Sequence, residues 1–294
     1  MDRRATFRNG WLAGALIAPQ IALVLVFFYW PASQAIYWAF TTQPPFGGSN
    51  EWIGTQNFVQ IFADRVYWNS VAVSCTFALL STSLSLFLGL LFALLVDRQL
   101  AGYRFYRFVY FWPYAVAAPA VGLAFRFIFA PDAGFVSAIN TLRPGLWNPA
   151  MNGADAMALI VFANSWKMMA YNFIFFLAGL QGIPRSLVEA AAMDGARPLR
   201  RALDIQLPLL APTFFFLLVI NITETFVDSF GIVDITTGGG PARSTDLMVF
   251  KIYSDGFKGL DYSMAAAQSI VLMTLVIALT FVQFRWIERR VHYR

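Results

Sequence analysis

Between Trp11 and Phe40 the chain carries no charged residue, and neither does the stretch from Asn69 to Val96. Uncharged runs of this length limit the possible folds more than any motif does, because a helix of about 20 mostly apolar residues crosses a bilayer. Six such segments are present. They run from about Trp11 to Phe40, Asn69 to Val96, Phe108 to Ala130, Asp155 to Gln181, Leu207 to Val233, and Tyr262 to Phe284. Composition agrees: 59% of the residues are hydrophobic and 13% charged, against about 45–50% and about 25% in soluble domains. A soluble fold of 294 residues could not hide that much apolar surface, so lipid is the expected solvent for much of it. Disorder needs the opposite composition. With Cys75 the only cysteine and His292 the only histidine, a disulfide scaffold and a Cys/His metal site are excluded as well.

The net charge of +5 could suggest nucleic acid, but its distribution gives it another meaning. Arg3, Arg4 and Arg8 precede the first span. Arg98, Arg104 and Arg107 lie between the second and third, and Arg185, Arg197, Arg200 and Arg201 between the fourth and fifth. Arg285, Arg289, Arg290 and Arg294 close the chain. Fourteen of the 21 basic residues therefore mark one side, and five mark the other: Arg65, Arg143, Arg243, Lys251 and Lys258. The positive-inside rule makes the first side cytoplasmic. Both termini are then inside, as six spans require, and no nucleic-acid partner is needed. The first span is too long for a signal-peptide core and no A-x-A site follows, so it reads as an uncleaved helix. The outer connections are 41–68, 131–154 and 234–261, the first two rich in Pro, Gly and Asn. Trp38, Trp52, Trp68, Trp112, Trp147 and Trp286 gather near expected interfaces.

The cytoplasmic stretch 184–208 reads as two short helices. Ser186 with Glu189 three residues on is a capping-box pattern. Ala190, Ala191 and Ala192 favour helix, Gly195 supplies a left-handed stop, and Pro198 suits the first turn of a second helix. Pro208 marks a boundary or kink at the fifth span. On composition alone this could be a docking element or a loop that only returns the chain.

The spacing Glu189-Ala190-Ala191, Gly195, Ile205 and Leu207-Pro208 resembles the EAA motif of ABC importer permeases. Thr236-Thr237-Gly238-Gly239-Gly240-Pro241 with Ser244-Thr245 resembles the outer-loop element of the carbohydrate-uptake branch of that family. Phe111-Trp112-Pro113-Tyr114-Ala115 and Ala266-Ala267-Gln268-Ser269 fit the same branch. Within it, Trp166-Lys167, Tyr171-Asn172-Phe173, Ile183-Pro184-Arg185-Ser186-Leu187 and Lys251-Ile252-Tyr253 are similar to permeases of sn-glycerol-3-phosphate importers.

The resemblance implies an all-α polytopic protein, a single permease domain over 1–294 with the type I ABC importer fold. It implies an ATPase-coupling role for Glu189, Ala190, Ala191, Asp194, Gly195, Ile205 and Pro208. The implied partners are a second homologous permease, a dimer of ATP-binding subunits, an extracytoplasmic substrate-binding protein and the bilayer of the bacterial inner membrane. The chain itself would bind no cofactor and catalyse nothing, since it lacks a Walker A motif; ATP and Mg would be used by the partner ATPase. The implied substrate is sn-glycerol-3-phosphate, with glycerophosphodiesters, and the alternative is a sugar or oligosaccharide.

Charges inside spans cost about 2.5–3.5 kcal/mol on insertion scales, so each needs a partner or a wet cavity. Arg126, Lys167, Glu224 and Asp228 are the four cases. Lys167 and Tyr171 share one helical face; Asn221, Glu224 and Asp228 share another. Two readings are open. Lys167, Tyr171, Asn172, Asn221, Glu224 and Asp228 could line a substrate path, with Lys167 engaging phosphate. Otherwise Lys167 pairs with Glu224 or Asp228 to hold two helices together. Arg126 is near enough to the outer boundary to snorkel. The 238–240 glycines could cradle an anion or form a flexible docking turn. Cys75 is expected as an inert core residue, and His292 as solvated. An intramembrane protease is disfavoured, because H-E-x-x-H is absent and His292 lies outside the spans. The coupling motif disfavours an ion-coupled carrier.

Overall fold

The computed structural model describes residues 10–42, 50–97, 103–143 and 145–288. Arg3, Arg4, Arg8, Arg98, Arg289, Arg290, Arg294 and His292 lie outside them. The chain divides into two compact units, Met1–Ala63 with Ile252–Val271, and Asp64–Lys251 with Leu272–Arg294.

Among the described residues four helices are long and apolar enough to span a membrane: Ala13–Ala39, Arg65–Asp97, Gly153–Gln181 and Tyr262–Arg285. The third and fifth expected spans are broken. Phe108–Ala115 and Ala118–Ile128 meet at a bend of 110°, and Pro198–Leu209 and Ala211–Val227 at 71°. Prolines account for both breaks. Val116 and Ala117 are extended, and Pro119 opens the helix that follows, where its missing N–H costs nothing. In the fifth span the bend falls at Leu210, ahead of Pro212. The kink expected at Pro208 is thus displaced by two residues.

Pro208 is accommodated differently. The preceding turn, Ala202–Gln206, is a π-helix in which the Leu207 N–H reaches Ala202 O. Widening that turn moves aside the carbonyl that the proline ring would strike and leaves no missing donor in an α ladder. The first span uses the same device: Leu25–Tyr29 is π-helical, the Trp30 N–H reaches Leu25 O, and Pro31 follows.

In the larger unit the second span, Arg65–Asp97, packs most extensively against the fourth, Gly153–Gln181. The buried face of the second span carries Ser81, Ser85, Gly89 and Ala93, one small residue every four. Such spacing lets helix backbones approach closely in lipid. At Gly89 the approach is closest: a Cβ there would stand 2.6 Å from Asn172 Cβ and 3.0 Å from Phe173 N. Two apolar clusters flank the seam. One includes Phe77, Val121, Ile160 and Ile232; the other includes Leu86, Phe173, Phe176 and Leu217. Cys75 lies on the opposite face and is exposed. The expectation of a core cysteine is corrected, since residues 74, 77, 78 and 81 take the inward positions.

The fifth span ends earlier than its hydropathy suggests. Its helix stops at Val227, Asp228 caps it, and a separate helix covers Phe230–Thr236. That short helix crosses Ala118–Ile128 closely through paired glycines. A Cβ on Gly122 would meet Ile232 O at 3.1 Å, and one on Gly231 would meet Pro119 Cγ at 2.9 Å.

In the smaller unit the all-helical expectation gains a minimal ribbon, Thr41–Thr42 antiparallel to Glu51–Trp52. Asn57 Nδ2 fastens it by donating to Ala39 O at 2.9 Å and Thr41 O at 3.1 Å.

Gly89→Ala should overpack the seam and destabilise the protein by about 1–3 kcal/mol. An apparent melting temperature in detergent unchanged by the substitution would show that the two helices can separate at little cost.

Candidate functional site: a charged strip and the 184–208 helices

Polar residues inside the larger unit fall into two groups. The first is neutral and sealed. Asn172 and Asn221 are both 0% exposed and exchange two hydrogen bonds. Asn172 Nδ2 donates to Asn221 Oδ1 at 3.0 Å, and Asn221 Nδ2 to Asn172 Oδ1 at 2.6 Å. Ser85 Oγ adds a third bond to Asn221 Oδ1 at 3.0 Å, and Asn221 also donates to Leu217 O at 2.7 Å. The second, fourth and fifth spans are thereby tied at one level. Further along the seam, Asn164 Nδ2 donates to Ser81 Oγ at 2.6 Å, and Ser165 Oγ to Ser81 O at 3.1 Å. Asn172 and Asn221 were expected on the substrate path; here they face each other inside the protein and no open space.

The second group is charged and accessible. Lys167 Nζ lies 3.0 Å from Asp228 Oδ2, with the lysine side chain 13% and the aspartate 59% exposed. Between the alternatives of Glu224 and Asp228, the lysine takes Asp228. The reason is local: Asp228 caps the C-terminal end of Ala211–Val227, where the helix dipole disfavours a carboxylate and an ammonium offsets it. Glu224, one turn earlier, is exposed, and its carboxylate makes no hydrogen bond or ion pair among the described residues. Tyr171 lies one turn on from Lys167 on the same face of the fourth span. From there aromatic rings continue the strip. Tyr171 packs on Tyr114 at 5.6 Å and on Phe175 at 4.6 Å between centroids, and Phe175 on Phe216 at 5.4 Å. Lys167, Tyr171, Glu224 and Asp228 are thus brought to one accessible strip. Tyr114 and Phe216 were not anticipated as members; they come from other helices, at no fixed sequence spacing.

Arg126 pairs with none of the acids. Its Nη1 donates to Ile235 O at 3.0 Å, in the last turn of Phe230–Thr236, where a cation suits the dipole. The four intraspan charges therefore do not form one neutral cluster.

The 184–208 stretch forms two helices as expected, with one correction. The first, Arg185–Met193, is capped by Pro184 and has no side-chain cap. Ser186 lies inside its first turn, so the capping box with Glu189 is not made. The extended Pro184 (φ −56°, ψ 122°) already sets the start. The stop is a Schellman turn: Ala196 N bonds Ala191 O at 3.0 Å, Gly195 N bonds Ala192 O at 3.1 Å, and Gly195 has φ +81°. Asp194 is the C-cap. Glu189 and Ala190 are exposed, Ala191 partly so. Pro198 opens the second helix, and Ile205 lies in the π turn ahead of Pro208.

The 236–245 loop is built rather than slack. Gly238 N bonds Val233 O at 2.8 Å, Gly240 N bonds Thr237 O at 3.1 Å, and Thr245 Oγ1 donates to Gly240 O at 2.7 Å. Gly239, at φ +82°, faces Phe250 so closely that a Cβ would stand 2.6 Å from the ring. Two of the three glycine N–H groups are committed internally, which leaves little of an anion cradle or a flexible turn.

A bundle of broken spans around a polar seam, with a helical element between the fourth and fifth, is the build of a membrane transport subunit. Residues 21–293 match the family described as the binding-protein-dependent transport system inner membrane component, and the chain belongs to that family. It is a multi-pass inner-membrane protein. It is 48% identical over 291 residues to the sn-glycerol-3-phosphate transport system permease protein UgpA of Rhizobium meliloti, covering 99% of each chain. It is 46% identical over 291 residues to UgpA of Salmonella typhimurium, again covering 99% of each. Its fold matches that of a bacterial ABC transporter involved in import of the acidic polysaccharide alginate. That match has a TM-score of 0.83, with 96% of each chain covered at 23% identity. The inward-facing MetNI methionine ABC transporter matches with a TM-score of 0.55 over 81% of this chain. The fold is the six-span fold of type I ABC importer permeases, with two spans broken.

In a double-mutant cycle, Asn172→Ala and Asn221→Ala should couple by about 0.6–1.7 kcal/mol, the range of intramembrane hydrogen bonds. Additive losses of stability would mean that the two amides do not tie the fourth span to the fifth.

Proposed function

We propose that this chain is the permease subunit of an ABC importer that moves sn-glycerol-3-phosphate, and glycerophosphodiesters, across the inner membrane. The observation that carries the substrate is the identity of 46–48% to UgpA proteins along nearly the whole chain. The site adds a chemical reason. Lys167 is the one lysine within the strip, and it is held by a single exposed carboxylate. A phosphate monoester is a stronger, multidentate acceptor and can take the ammonium from Asp228. In this reading Tyr171 lies along the path, and Glu224 and Asp228 keep it empty of anions until Lys167 is engaged. Asn172 and Asn221 hold the wall behind it.

The chain acts as one permease domain with a second homologous permease beside it and two ATP-binding subunits below. A substrate-binding protein sits above loops 41–68, 131–154 and 234–261. The termini and loop 184–208 are cytoplasmic. ATP and Mg serve the partner ATPase, and this chain contributes no catalytic residue. Glu189, Ala190, Ala191, Asp194 and Gly195 form the docking surface. Ile205 and Pro208 belong to the helix that carries its motion. The lever is short: Pro198–Leu209 runs into the bend at Leu210, and Gly179 of the fourth span lets Leu210 and Thr213 approach closely. A displacement of the docking helices would turn Ala211–Val227, which carries Glu224 and ends at Asp228, and so change access to the strip.

A sugar or oligosaccharide is the second reading, favoured by the rings of Tyr114, Tyr171, Phe175 and Phe216. Uptake by the assembled transporter in proteoliposomes separates the two. Lys167→Ala should lower ATP-dependent glycerol-3-phosphate uptake by about tenfold or more, the value of a charged hydrogen bond, and leave subunit assembly intact. Normal uptake by that variant removes the phosphate role of the lysine. For the coupling element, Cys75 is first replaced by serine, and Ala191→Cys should then crosslink to a cysteine in the ATPase cleft. A transport-competent complex that gives no crosslink contradicts docking through this helix.

A further inference from the structure

On the membrane side of the docking element, two adjoining cavities open in the larger unit. One, of about 420 Å³, is lined by Leu91, Leu94 and Leu95 from the end of the second span and by Leu199, Arg201 and Gln206 from the docking element. The other, of about 300 Å³, adds Gln181 and Arg185. Asp97, Val188 and Gln206 border both.

The lining has two chemistries. Leu91 and Leu95, 38% and 40% exposed, continue the apolar stripe of Phe87 down the span, four residues at a time. Arg201 lines the same cavity, and its Nε is buried and donates no hydrogen bond among the described residues. A buried guanidinium N–H without an acceptor is costly, and costlier for a charged group than for a neutral one. Its neighbour Arg200 differs. It is exposed, lines neither cavity, and its Nε lies 3.1 Å from Asp204 Oδ2. Asp97 is the one acid in the lining. The cavities therefore carry two arginines against one carboxylate, at the point where a hydrocarbon-facing stripe ends.

We infer that this pair of cavities is a binding site for one anionic phospholipid of the inner leaflet. The phosphate accepts from Arg201, with Arg185 at the rim, and an acyl chain lies along Leu91 and Leu95. A soluble anion would use the arginines and leave the leucine wall unused. A neutral lipid would use the wall and leave the Arg201 donor unmatched. The site touches both the second span and the docking helices, so its occupancy would steady the element against the membrane. The inference rests on the cytoplasmic placement of loop 184–208. It is independent of which substrate is carried.

The test is native mass spectrometry of the complete transporter complex, released from vesicles of phosphatidylglycerol and phosphatidylcholine. The wild type should retain one phosphatidylglycerol for each copy of this chain. Arg201→Gln should weaken that retention about fivefold, as expected for one basic residue at an anionic surface. Arg200→Gln removes the same charge outside the cavities and should retain the lipid. Equal loss from both variants would reduce the effect to general basic attraction and overturn the site. Equal retention by wild type and Arg201→Gln would overturn it too. So would displacement of the lipid by millimolar inorganic phosphate, since the occupant would then be a free anion.

Discussion

In hydrocarbon no hydrophobic force pulls one helix against another, so association depends on close packing and on polar groups that find partners. The contact between Arg65–Asp97 and Gly153–Gln181 meets both needs along one line. Ser81, Ser85, Gly89 and Ala93 lower the surface of one helix, and Gly89 lets the backbone of Phe173 come within reach. The same positions carry the hydroxyls that bond Asn164 and Asn221, and the Ser81 carbonyl accepts from Ser165. Larger residues would separate the helices, and alanines alone would leave the Asn164 amide without its Ser81 partner and take one of its bonds from Asn221. Packing and hydrogen bonding therefore constrain the same few side chains, and the rest of the larger unit is arranged around that seam.

The breaks in the other spans follow from the same economy of partners. A lipid-exposed backbone group without a hydrogen bond costs several kcal/mol, so a helix can bend only where a proline has already removed the donor or where a neighbour replaces it. Pro119 and Pro212 stand just inside the helices that follow the two large bends. At the end of Phe230–Thr236 the replacement is a side chain, Arg126 on Ile235 O. The bend at Leu210 separates Pro198–Leu209 from the helix that Asp228 caps.

How much of this was legible in the sequence depends on the range of the interaction. The first, second, fourth and sixth hydrophobic segments, the Gly195 stop and the Pro198 start are set by nearest neighbours, and the structure has them where the sequence implies; the third and fifth segments are broken. The choice of Asp228 over Glu224 was left open, because it depends on where the fifth helix ends. Hydropathy runs on past Val227 through Phe230-Gly231-Ile232-Val233 and hides that end. The burial of Asn172 and Asn221 was missed for a similar reason. Spacing places Asn221 on the face of Glu224 and Asp228, yet a rotation of about 60° between positions three apart turns Glu224 out while Asn221 enters the seam, and Asp228 lies past Val227, the last residue of the helix. A usable signal was present in the second span, where small residues recur every four positions through an uncharged run. It marks a helix-packing face and would have directed the asparagines inward.

The division of polar residues that results is mechanical as much as chemical. The amides of Asn172 and Asn221 are neutral, saturate each other and are closed to solvent. A contact of that kind is costly to open and offers a ligand nothing to exchange with, so it suits a joint that stays shut while the protein cycles. Lys167 and Asp228 are charged, and the carboxylate is more than half exposed. Water and ions can reach that pair, so either partner can be replaced without burying a bare charge. If the positions were reversed, with the ion pair in the seam and the amides on the strip, separation would strand a charge in a dry interior, and the accessible face would lack the field to select an anion. The placement seen here keeps the neutral pair closed in the seam and leaves the charged pair open to exchange.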